Sequence, residues 1–112
     1  SSTIEYESMG AHIGSPVILT PAGAQVNHLV RGRTYRYQYF VQFFTSAINV
    51  RFAMLIKTPS GVELGGAESA SSHEGSLAYV AAHSRYRIEF SFHCALNPGV
   101  YFLNAGVLGT VD

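Results

Sequence analysis

Cys94 directly follows His93, the one point where a thiol and an imidazole adjoin in this chain. A nucleophilic cysteine needs a base within hydrogen-bond reach. The pair ends a run in which Tyr86, Ile88, Phe90, Phe92 and Cys94 alternate with Arg85, Arg87, Glu89, Ser91 and His93. Neighbours on a strand point to opposite faces, so this thiol and this imidazole cannot meet. Cys94 shares the face of Phe92 and is expected to be a buried, inert thiol. The remaining Ser, His and carboxylate residues show no catalytic spacing, and G-x-S-x-G is absent. The histidines His12, His28, His73, His83 and His93 form no H-x-H pair and no H-x-x-x-H. Glu89 and His93 share a strand face but stand about 13 Å apart, at about 3.3 Å per residue. They would need further ligands from elsewhere. Gly65-Gly66 lacks the Lys-Ser/Thr of a phosphate-binding loop. Glu63, Glu68, Glu74 and Glu89 could converge as a glycosidase pair, but a small chain without tryptophan is a poor candidate for that chemistry. No catalytic residue, no metal and no cofactor are expected.

What remains is a binding surface. The polar faces of three alternating runs offer Arg36, Gln38 and Gln42, then Arg51, then Arg85, Arg87, Glu89 and His93. Planar donors and acceptors of these types suit sugar hydroxyls, which need both. Phe40 and Phe44 share the parity of Gln38 and Gln42 and could stack on a pyranose ring. The bland alternative is a solvated sheet face with two apolar residues tucked under a loop. Tyr35, Tyr37 and Tyr39 have the opposite parity and are expected in the core.

The elements that carry these residues follow from period-two alternation. It runs from Thr34 to Phe44, from Ile48 to Lys57 and from Ser84 to Cys94. In the middle run Ile48, Val50, Phe52, Met54 and Ile56 are expected on the core face. Half-polar alternation of this length predicts antiparallel strands with one wet face. Thr58-Pro59-Ser60-Gly61 predicts a hairpin turn into Val62–Leu64, and Asn97-Pro98-Gly99 a type II turn into Val100–Val107. Pro16 and Pro21 bracket a short apolar strand, Val17–Leu19. Gly65-Gly66 is expected to end its strand. The small, polar segment 67–75 reads as a loop, and Ala78–His83 has room for one helical turn. Roughly eight or nine short strands at this spacing define an all-β fold, an antiparallel sandwich of jelly-roll or immunoglobulin-like type.

Composition sets the outer bounds. A chain of 112 residues supports one domain with one core, and residues 1–112 are read as a single sandwich. Hydrophobic residues make up 47% and charged residues 12%, which excludes disorder. Seven Lys+Arg balance seven Asp+Glu, so no basic footprint for nucleic acid or an anionic membrane exists. No apolar run approaches the roughly 20 residues of a membrane span. One cysteine excludes an internal disulfide and fits a reducing compartment. No initiator Met and no leader pattern stand at the N-terminus, so the chain is expected to be a piece of something longer, or a processed or tagged form.

Three motifs in order add a resemblance. Leu29-Val30-Arg31-Gly32 precedes the alternation Tyr35–Phe43. Val50–Lys57 is followed by Thr58-Pro59-Ser60-Gly61 and by Val62-Glu63-Leu64-Gly65-Gly66. Tyr86–Phe92 is followed by Leu96-Asn97-Pro98-Gly99-Val100-Tyr101-Phe102-Leu103-Asn104-Ala105-Gly106, an L-x-x-G-x-Y-x-L-x-x-G pattern. Over roughly Ala24 to Val107 the chain resembles the C-terminal domain of Wzt, the nucleotide-binding subunit of bacterial ABC transporters that export O-antigen polysaccharide. The resemblance implies a cytoplasmic, dimeric β-sandwich that binds the capped non-reducing end of the glycan. It also implies an ATPase domain in the same full-length chain and a transmembrane transporter subunit as partners, placing the protein peripherally at the inner membrane. It supplies no sugar-site motif, so the residues named above rest on the strand faces alone. The family pattern continues with another strand where this chain stops at Thr110-Val111-Asp112. Either this variant is short or a last strand is missing; a missing strand would leave an open edge, and open edges recruit strands, so strand exchange or addition across a homodimer is expected.

Non-catalytic polysaccharide recognition is therefore the leading reading. A protein-interaction or adhesion sandwich without a glycan ligand is the alternative, and would use an exposed edge or a flat apolar patch. A small lyase or a metal-dependent cupin-like enzyme is the third, and would need convergent histidines and a carboxylate.

Overall fold

The computed structural model describes residues 10–68 and 77–111, with strands throughout and no helix among them. The strands are β1 (Ala11–Leu19), β2 (Gln25–Val26), β3 (Thr34–Phe43), β4 (Ala47–Lys57), β5 (Glu63–Glu68), β6 (Leu77–Val80), β7 (Arg85–His93) and β8 (Phe102–Val111). One sheet has the order β2-β1-β3-β7. In the other, β4 is central, with β5 and β6 on one side and β8 on the other. Every pairing is antiparallel. This is the expected all-β sandwich.

The core is the layer between the sheets. Tyr35, Tyr37, Tyr39, Val41 and Phe43 of β3 alternate inward and are all buried, as their parity requires. They meet Val50, Phe52 and Met54 of β4 and Leu103, Ala105 and Val107 of β8. Burying tyrosines requires partners for their hydroxyls. Tyr37 donates to the Leu103 carbonyl at 3.3 Å. The Tyr39 hydroxyl accepts from the Ala53 N–H at 3.2 Å. It lies 2.9 Å from the Ala53 carbonyl and 3.0 Å from that of Gly106, either of which takes its proton. One side chain of the first sheet thus bonds the backbones of two strands in the second. Burial raises the Tyr39 phenol far above its ordinary range, more than its hydrogen bonds to Ala53 and Gly106 lower it.

Several local expectations change. β1 is one nine-residue strand where only Val17–Leu19 was expected. A bulge with Ser15 at φ 56° shifts the register between Gly14 and Val17 and accommodates Pro16. The bulge interrupts the alternation that would have revealed Ala11 and Ile13. A second bulge, with Asn49 at φ 53°, turns Ile48 outward and leaves Ala47 buried in its place. Ile48 therefore leaves the core face on which strict alternation put it. The segment proposed as a helical turn instead holds β6, because Leu77, Tyr79 and Val80 pair with Val50, Ile48 and Ala47 of β4.

The Thr58–Gly61 hairpin forms as expected. Gly61 has φ 92°, and its N–H donates to the Thr58 carbonyl at 2.9 Å. β5 runs on through Gly65-Gly66 to Glu68, so these glycines do not end it and the expected loop begins later. The rest of that loop lies outside the described residues. A Cβ on Gly66 would collide with the Met54 carbonyl, so glycine here permits close approach of two backbones. Gly99 has no positive φ, so Asn97–Gly99 is a bend rather than a type II turn. β8 starts at Phe102 instead of Val100.

Candidate functional site

The outer face of the first sheet is built by β1, β3 and β7. Antiparallel register sets Gln38 opposite Glu89, Phe40 opposite Arg87, Gln42 opposite Arg85, Arg36 opposite Ser91 and Thr34 opposite His93. Side chains directly opposite one another have Cβ atoms about 5 Å apart. The sequence-predicted residues Arg36, Gln38, Gln42, Arg85, Arg87, Glu89 and His93 therefore share one face. Arg51 does not join them. It lies on β4 between buried Val50 and Phe52, opposite Leu108, and faces outward from the other sheet. Alternation gave its face but could not tell which sheet the strand enters.

The face is partly pre-ordered. Arg36 Nη1 lies 3.2 Å from Glu89 Oε1 and 3.4 Å from Oε2. Its Nε and Nη2 donate to the Thr20 carbonyl at 3.4 and 3.3 Å. An ion pair this exposed contributes at most about 1 kcal/mol, but it fixes the guanidinium plane. The Arg85 guanidinium sits 4.4 Å above the Phe40 ring, a cation–π contact. One side of the Phe40 ring is thereby covered by Arg85. Gln42 spends its amide N–H groups on the Phe43 and Ser84 carbonyls, at 3.4 and 3.3 Å, which leaves its carbonyl as acceptor. Arg85 and Arg87 make no ion pair among the described residues. Phe44 lies just past the end of β3, 53% exposed.

Sequence reasoning missed His12, which β1 places opposite Gln42 on the same face. The alternation that carries it is short and ends at the bulge. It also missed a cleft of about 360 Å³ at one end of the sandwich. Ile18, Leu29, Cys94, Leu96 and Leu103 give this cleft its apolar surface, and His28, Arg31, Asn97 and Tyr101 its polar groups. Arg31 Nη1 donates to Asn97 Oδ1 at 2.9 Å, and the Tyr101 hydroxyl donates to the Asn97 carbonyl at 2.6 Å. The first of these bonds joins residues 66 positions apart, which no local pattern reveals.

Cys94 is a free, buried thiol, as expected, while His93 is exposed. Among the described residues no three His, Cys, Asp or Glu side chains assemble as metal ligands. Glu63 lies in the second sheet and Glu89 on the outer face of the first, so these two carboxylates do not converge. Among the described residues no helix is long and apolar enough to cross a membrane.

The fold defines the class: an all-antiparallel β-sandwich with one outer face rich in planar polar side chains. The chain belongs to the Wzt C-terminal domain family, whose model matches residues 2–112. It is similar to a crystal structure of the C-terminal domain of wzt, with a TM-score of 0.78 and 28% sequence identity. That likeness covers 91% of this chain and 62% of the other, so this chain spans less than two-thirds of that one. No curated protein matches it.

Proposed function

We propose that these residues form one non-catalytic carbohydrate-binding unit, which recognises the capped non-reducing end of an O-antigen polysaccharide and so confers substrate specificity on an ABC exporter. The observation that carries this reading is the convergence of Arg36, Gln38, Gln42, Arg85, Arg87, Glu89 and His93 on one outer sheet face, with His12 beside them. Such a face presents donors and acceptors together, which is what a run of hydroxyls requires. Family membership supports the transporter setting. In that setting the unit is cytoplasmic and peripheral at the inner membrane. Its partners are an ATPase domain of the same full-length chain and a transmembrane subunit.

Calorimetric titration with the O-polysaccharide of the source strain, cap present or removed, tests this reading. Binding with preference for the capped polymer is the expected result. Equal binding to both would retain a glycan module and discard end recognition. Absence of binding to either by folded protein would overturn the reading.

The unit is further proposed to act as a homodimer through strand exchange or addition. Among the described residues β8 pairs with β4 alone, so its other edge is open. Sedimentation should give a dimer at micromolar concentration, and a strict monomer would discard this part.

One observation favours a second reading, a protein-interaction face. On the other sheet Ile48, Tyr79 and Leu108 are 37%, 59% and 42% exposed, and the register sets Ile48 against Tyr79. Failure of both polymers to bind would move weight to that face.

A further inference from the structure

The end cleft is separate from the polar face yet continuous with its strands. Ile18 in the cleft precedes Leu19, which pairs with Arg36, and Cys94 in the cleft follows His93. Its deepest residues, Cys94 and Leu103, are each only 3% exposed. Leu29 and Leu96 add half-buried apolar surface. Around this floor stand His28, Arg31 and Asn97, and among the described residues no carboxylate lines the cleft. Arg31 spends one N–H on Asn97 and keeps further donors for a ligand. A volume of about 360 Å³ falls at the small end of the range for ligand pockets.

The two surfaces differ in what part of a polymer each can read. An open sheet face accepts units from anywhere along a chain. A cleft that bottoms on buried side chains favours a chain end, which has only one linkage to lead out through the mouth. Its apolar floor rewards a methyl or deoxy group, by about fourfold in affinity for each methyl buried. Its polar rim meets ring hydroxyls.

We propose that this cleft takes the terminal sugar of the glycan, a single unit bearing an apolar substituent, while the sheet face holds the units behind it. This assignment rests on the glycan-binding reading above and adds the place where the terminus is read. Val100 lines the mouth of the cleft and is 67% exposed, so it can be enlarged without entering the core.

The test uses ¹⁵N-labelled protein and a panel of O-methylated hexose methyl glycosides with their unmethylated parents, followed by the capped and uncapped polysaccharide. The O-methylated sugars should shift the amides of Leu29, Cys94, Val100 and Leu103. Val100→Trp should abolish the preference for the capped polymer while retaining binding of the uncapped one. Arg31→Ala, an exposed change, should weaken binding of the capped polymer more than of the uncapped. Gln38→Ala on the sheet face should weaken both alike. Shifts confined to the sheet face, or an unchanged preference in folded Val100→Trp, would overturn the cleft assignment and leave glycan binding standing. No response to any sugar or polymer would overturn both.

Discussion

Replacing Tyr39 with Ala is expected to destabilise the domain by about 4 kcal/mol, and replacing it with Phe by about 2 kcal/mol. The ring is fully buried, so Ala leaves a cavity where it packs beside Tyr37 and the β4 and β8 side chains. Phe keeps the ring and removes the hydroxyl that bonds Ala53 of β4 and the Gly106 carbonyl of β8. Those backbone groups stay buried and lose a partner, which costs more than the bond itself contributed. Tyr37→Phe removes the longer bond to the Leu103 carbonyl, 3.3 Å, and is expected to cost about 1 kcal/mol. Urea denaturation of the three variants measures the order. Tyr37→Phe matching or exceeding Tyr39→Phe would refute the claim that Tyr39 ties the two sheets.

Tyr39 also makes stability depend on alkaline pH. Its phenol titrates well above its ordinary value in the folded chain, and near that value, about 10, in the unfolded chain. Below pH 10 the group is protonated in both states and its contribution is fully present. Above pH 10 the unfolded chain releases the proton and the folded one retains it. Stability then falls with rising pH, by about 1.4 kcal/mol per unit, until the folded-state value is reached. Tyr39→Phe should remove this part of the slope.

The double variant Gln38→Ala/Arg87→Ala is expected to weaken glycan binding about a hundredfold, the loss of about 3 kcal/mol in two polar contacts, one of them charged. Both side chains project from the outer face, Gln38 opposite Glu89 and Arg87 opposite Phe40. Neither belongs to the core, so the fold should be unchanged. Arg51→Ala provides the control. Its side chain faces outward from the other sheet and should leave affinity within a factor of two or so, a surface effect of about 0.5 kcal/mol or less. Equal loss in Arg51→Ala and in the double variant would show that binding does not use the β3–β7 face. Calorimetry of both against one polysaccharide preparation decides it.

How much of this was legible in the sequence differs from strand to strand. β3 and β7 were readable because unbroken alternation over Thr34–Phe43 and Arg85–His93 fixes which side chains face out. Antiparallel pairing then needed only to bring the two strands together. β1 was half-legible, because the bulge at Ser15 breaks the period and hides the face that carries His12. β4 was readable from Val50 onward, but the bulge at Asn49 reversed Ile48. β6 was misread because Leu77–Val80 carries no pattern of its own; its strand form comes from β4 beside it.

Sequence alone determined the fold class, the tyrosine-rich core and the family, since each rests on local period, turn chemistry or ordered motifs. Side-chain direction on a strand is a local property, so the polar sets on β3 and β7 were already defined. Tertiary structure alone decided that those two sets are neighbours while Arg51 is not, because sheet membership depends on pairing between distant strands. It alone produced the end cleft, where Ile18, Arg31 and Asn97 meet from separate parts of the chain. No spacing rule reaches such a site: chain closure over tens of residues brings its walls together, and their residue types are ordinary for loops and strand ends.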